Sequence, residues 1–136
     1  CDVDFPAMSG ILYCMVPKSA GKRRTDQDRR TQLLHGVLDM CLMSIIDEEA
    51  SYGYEMVRKL RSRGLDLASE GSIYPLLSRL QKSGMIESYL VQSSEGPARK
   101  YYRMTERGQD SLSQWKEDWS GFRDSVDSVL DGEGNA

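Results

Sequence analysis

Apolar residues recur at helical spacing through the first half of the chain. Leu33, Val37, Cys41 and Ile45 repeat every four residues and are shadowed by Leu34, Leu38, Leu42 and Ile46, which predicts one long helix with a broad buried stripe. Asp47, Glu48 and Glu49 follow, and the helix macrodipole disfavours acids at a C-terminus, so the helix is expected to stop there. A second helix is expected with Ser51 as N-cap, Tyr54, Val57 and Leu60 turned inward, Arg58, Lys59 and Arg63 in water, and Gly64 at its end. A third begins near Ser69, buries Ile73, Leu76, Leu77 and Leu80, and closes at Gly84.

Past Gly84 the pattern changes. Ile86, Tyr89, Leu90 and Val91 favour strand, Ser93 to Pro97 read as a turn, and Tyr101, Tyr102 and Met104 favour strand again, which predicts a β-hairpin. Thr105 is placed to cap a last helix. There Leu112, Trp115, Trp119, Phe122, Val126 and Val129 alternate spacings of three and four, the seam of a coiled coil. A helix cannot hide such a face alone, so the seam is expected to pack on the domain or on a second copy. The expected organisation is an N-terminal tail (1–28), a winged helix-turn-helix (29–105), a dimerisation helix (106–130) and a C-terminal tail (131–136). The fold class is mainly α with a small β-hairpin.

Composition changes this picture in one respect. The 136 residues carry a net charge of −3, which taken alone argues against a nucleic-acid partner. The charge is segregated, however: residues 51–107 hold ten Lys and Arg against six acids, whereas beyond Gly108 seven acids face only Lys116 and Arg123. The middle of the chain is basic. Lys18, Lys22, Arg23 and Arg24 form a further basic cluster, read as a solvated run ahead of an arm on DNA.

Cys1, Cys14 and Cys41 are too widely spaced for a zinc knuckle or a redox dithiol, so no metal is expected and a reducing cytoplasm fits. Cys41 lies on an apolar stripe and reads as a small hydrophobe. Ahead of the first helix, Asp2 and Asp4 stand where a secretory leader would be basic. The apolar run at residues 11–16 is also far shorter than the ~20 residues of a membrane span. This segment reads as a tail without assigned function, from a fragment or an upstream-extended reading frame in preference to a processed lipoprotein terminus. No membrane partner and no cofactor are expected.

Helix, helix, helix, hairpin is the element order of a winged helix-turn-helix, whose third helix enters the major groove while the hairpin follows the backbone. Opposite the leucine stripe of that third helix stand Pro75, Ser78, Arg79 and Lys82, with Ser72 and Tyr74 near its start, so hydroxyls and cations share one solvent face. The plainer reading of Arg79 and Lys82 is a solvated helix side. The hairpin tips the balance, because Arg99, Lys100 and Arg103 follow the turn as phosphate ligands on an extended strand. Tyr102 is read as core. Pro75 removes a backbone donor, so the helix either starts late or bends there.

Several runs also coincide with a known family. S-Y-G-Y-E at 51–55, G-S-I-Y-P-L-L-S-R-L at 71–80, K-S-G-M-I at 82–86 and R-K-Y-Y-R-M-T-E-R-G at 99–108 occur in the order and spacing of the PadR family of bacterial transcriptional regulators, which residues 33–108 resemble. The single short C-terminal helix is similar to the smaller subfamily. The resemblance implies a homodimeric repressor on an inverted-repeat operator, with Tyr74 and the wing cations at the DNA backbone and release by a small ligand. In the multidrug-sensing branch a tryptophan of the last helix stacks flat aromatic compounds between subunits. The matching residue is Trp119, with Trp115 second, although large aromatics in a dimer seam commonly serve packing alone. One departure concerns the wing, where Pro97 and Ala98 stand in place of the consecutive arginines frequent in the family. The competing class is a winged-helix module that binds protein instead of DNA. An enzyme is the poorest class, since the lone His35 has no nucleophile motif near it and no phosphate loop or paired carboxylates appear.

Overall fold

The structure, a computed structural model, describes residues 26–132, with side chains from residue 28. The expectations that fall on Cys1, Cys14, the residue 18–24 cluster and residues 133–136 lie outside the described residues. The elements run α1 (Asp26–Glu48), β1 (Ser51–Tyr52), α2 (Gly53–Ser62), α3 (Glu70–Lys82), β2 (Ile86–Ser93), β3 (Gly96–Met104) and α4 (Glu106–Asp131). The mainly helical class with a small antiparallel sheet matches the expected one.

Helix α1 supplies the spine of the core chiefly through the shadow register of its stripe: Leu34, Leu38, Leu42 and Ile46 are buried, joined by Met43 and by Ile45 of the first register, while Leu33 is 67% exposed. Cys41 packs half-buried against this cluster, and burial pushes its thiol above the usual range, so it stays protonated and serves as packing. The acids at the end of α1 are offset by cations from α2 and its C-cap. Arg63 donates twice to the Glu48 carboxylate at 2.8 and 2.9 Å, and Lys59 lies 3.5 Å from Glu49.

The sheet differs from the expected hairpin. Ser51 is not a helix cap; it pairs with Tyr102 while Tyr52 pairs with Tyr101, giving a third strand in the order β1-β3-β2. Ser51 is fully buried and its hydroxyl donates to the Glu49 carbonyl at 2.9 Å, so it closes the α1–β1 turn. Tyr52 takes the N-cap position of α2 instead, and the Glu55 carboxylate accepts its N–H at 3.3 Å. Val57 and Leu60 are buried as expected, but Gly53 and Met56 complete their stripe in place of Tyr54, which is 52% exposed.

Helix α3 starts at Ser69 as the sequence predicts, with a reciprocal pair between the Ser69 and Ser72 side chains and backbones. It buries Ile73, Leu77 and Leu80, with Leu76 partly covered. Pro75 neither delays nor ends it: the helix runs through from Glu70 to Lys82, with the proline in its second turn on the solvent side. Gly84 follows with φ +80°.

Helix α4 is tied to the core at its first turn. The Thr105 hydroxyl oxygen accepts the Gly108 N–H at 3.0 Å and its proton is shared between the Gly84 and Met85 carbonyls, at 2.7 and 3.0 Å. Gly108 is buried against the Met85 carbonyl, and a β-carbon there would lie 2.9 Å from the carbonyl carbon and collide with its oxygen. Only a glycine lets the helix leave so close to the start of β2.

Candidate nucleic-acid interface

The leucine stripe of α3 fixes which side of that helix faces water. Tyr74, Pro75, Ser78, Arg79 and Lys82 are all exposed on it, so the expected face is open to a partner. Ser72 is different: half-buried, with its hydroxyl donating to the Ser69 carbonyl at 2.9 Å, it belongs to the helix cap. Arg79 sits 3.9 Å from Asp39 of α1, a long and solvent-screened pair that leaves the guanidinium two-thirds exposed.

Tyr74 is the most constrained side chain on this face. Its ring lies directly over Gly53, where an added β-carbon would meet the ring carbon bearing the hydroxyl at 2.8 Å and collide with the hydroxyl itself. Gly53 is thus the seat of Tyr74. The phenol donates to Glu70 at 3.1 Å, and burial together with that acid raises its pKa above the usual phenol range. At neutral pH it is a proton donor, able to exchange the carboxylate for another anionic oxygen.

Tyr74 and the wing meet in one open cleft of about 220 Å³, lined by Tyr52, Gly53, Tyr74, Arg99, Lys100 and Tyr102. Arg99 stacks 4.7 Å from the Tyr52 ring centre and Lys100 lies 5.7 Å from that of Tyr102, so both cations are steadied by aromatic faces instead of acids. The cleft therefore brings the Tyr74 hydroxyl together with two cations, a donor set suited to a phosphodiester. Arg103 stands apart from it. It is two strand positions beyond Tyr101 and donates to Glu87 of β2 at 2.8 Å.

The sequence reading named Tyr74, Arg99 and Lys100 but assigned no role to Gly53 or Tyr52. Both lie in the S-Y-G-Y-E run, and a glycine opening a helix between two tyrosines was the available signal for a close approach.

The seam of α4 divides in two. Leu112 is buried and Trp115 packs against the core, whereas Trp119, Phe122, Val126 and Val129 are 39, 64, 38 and 78% exposed. Among the described residues no group of three His, Cys, Asp or Glu could hold a metal ion, and no helix is long and apolar enough to cross a membrane.

Comparison with known proteins gives the same architecture. The family model described as "Transcriptional regulator PadR-like family" matches residues 42–114. A PadR-like transcriptional regulator from Bacillus cereus strain ATCC 14579 is similar with a TM-score of 0.68 at 47% identity, covering 75% of this chain and 99% of that one. A PadR family regulator from Eggerthella lenta DSM 2243 has the same TM-score at 28% identity, covering 92% and 99%. Uncharacterized protein X of Lysinibacillus sphaericus is 31% identical over 105 residues, 76% of this chain and 96% of its own length.

Proposed function

Since the chain belongs to the PadR-like family of transcriptional regulators, and is thereby a DNA-binding regulator, we propose that it acts as a homodimeric repressor that a small ligand releases from DNA. The observation that carries the DNA contact is the shared cleft of Tyr74, Arg99 and Lys100 beside the open face of α3. In this reading Ser78, Arg79 and Lys82 reach base edges or phosphates from the major groove, Pro75 rests on the groove wall, and Ser72 keeps the helix start in place. Tyr74, Arg99 and Lys100 grip the backbone, and Arg103, further along the same strand face, joins them by exchanging Glu87 for a phosphate.

The unpartnered distal half of α4 supports the homodimer. Trp119, Phe122, Val126 and Val129 form a stripe that one chain leaves in water, and a second copy would cover it. Trp119 is the side chain offered to a flat aromatic effector in that seam; Trp115, already packed on the core, is less available.

The test is binding to an operator duplex selected by the protein itself from random-sequence DNA. Arg79→Ala is expected to weaken binding at least tenfold, about 1.4 kcal/mol, with the fold intact. Gly53→Ala, which displaces the Tyr74 ring, should weaken it several-fold. Wild-type affinity in both variants removes the assignment. A protein partner retained by a chain that ignores DNA would favour the interaction module.

A further inference from the structure

The outer face of the sheet carries a feature that starts in the cleft and extends beyond it. Tyr52, Tyr101 and Tyr89 stand abreast on the three strands, paired through the register Tyr52 to Tyr101 to Tyr89. Their ring centres are 5.3 and 5.9 Å apart, and Tyr54 at the start of α2 continues the row 6.4 Å from Tyr52. Three guanidinium groups lie against this row: Arg58 at 5.9 Å from the Tyr54 ring centre, Arg99 at 4.7 Å from Tyr52 and Arg103 at 5.0 Å from Tyr89.

The three arginines are not equivalent. Arg103 is neutralised by Glu87 at 2.8 Å, whereas among the described residues neither Arg58 nor Arg99 meets a carboxylate. Stacking occupies the flat face of a guanidinium and leaves its N–H edge free, the edge that binds a phosphate through two parallel hydrogen bonds. Holding the side chain against a ring also reduces the rotamer entropy lost when it binds.

We propose that Arg58 is a further backbone-phosphate contact, and that the tyrosine row is the brace which holds Arg58 and Arg99 in line so that one DNA strand can run from the cleft onto the start of α2. The inference rests on the DNA-binding reading above. Its occupant is the sugar-phosphate backbone of the operator duplex, argued from two unneutralised cations and from Arg99, which belongs to both the cleft and the row. Tyr52 is a positioning residue, acting through Arg99 and through Tyr54.

The discriminating measurement is the slope of log K against log salt for the selected operator duplex, because each neutralised phosphate contributes about 0.9 to that slope. Arg58→Ala should lower the slope by about 1 and weaken binding to unrelated duplexes by the same factor, while Arg58→Lys retains most of the slope. Tyr52→Leu should lower the slope as Arg58→Ala does, and Tyr52→Phe, which keeps the ring, should restore it. A wild-type slope in Arg58→Ala overturns the proposal. Arg79→Ala, measured alongside, separates the two failures: if it still loses affinity the regulator reading stands without the brace, and if it does not, both fall. Arg58 is exposed, so its variants report on binding even where Tyr52→Leu does not fold.

Discussion

The two halves of α4 are made of similar residues in opposite circumstances. Leu112 and Trp115 sit against a cluster whose members Leu38, Leu42, Ile73 and Leu77 are wholly buried, whereas Phe122, Val129 and Leu130 are 64 to 78% exposed. One apolar repeat thus serves two purposes, and its spacing alone does not say where the change occurs. The dividing point is set by geometry: after about three turns the helix passes the core cluster, and its later apolar side chains are exposed.

The largest effect should come from the closed half. Leu77→Ala removes a fully buried side chain at the junction of α3 with the core and is expected to cost about 2–5 kcal/mol in denaturant unfolding. Next comes the open half, where Phe122→Asp with Val126→Asp should raise the dimer dissociation constant at least a hundredfold, about 2.7 kcal/mol, in sedimentation. Sedimentation of that variant as an intact dimer would erase the distinction between the halves.

Thr105→Ala tests the joint between them. Losing the cap of α4 and its bond to the Gly84 or Met85 carbonyl should lower stability by about 1 kcal/mol and show as earlier hydrogen exchange in the first turn of α4. The smallest effect concerns Glu48, whose carboxyl is held below its ordinary value by the hydrogen bond from Arg63. A depressed carboxylate stabilises the fold above its unfolded pKa, and that contribution is lost as pH falls below about 4.5 and through the lowered folded value. Glu48→Gln should therefore flatten the acid limb of the stability profile slightly, with no change near neutrality.

Much of this was legible along the chain because the deciding interactions are local. Ser69 and Thr105 cap helices three residues ahead of their partners, and the leucines of α3 select their own buried face. The two-residue strand was not legible, since Ser51 and Tyr52 are too few to show a period and pair with residues about fifty positions away. The same separation hid the tyrosine row: Tyr52, Tyr89 and Tyr101 become neighbours only once the register is known. Arg103 looked free for the same reason, its partner Glu87 being on the opposite strand. Tyr54 was misassigned because the buried stripe runs through Gly53, Met56, Val57 and Leu60, and Tyr54 lies about 100° round the helix from Gly53.

The latch at Thr105 makes α4 a lever. Its 26 residues span about 39 Å, and the fulcrum lies between the end of α3 and the first residue of the wing. Sliding the far tip by about 3 Å corresponds to only ~4° of rotation at the fulcrum. In the homodimer proposed above, a wedge between two such tips would be geared down in this way, a crude displacement at one end becoming a small rotation at the other.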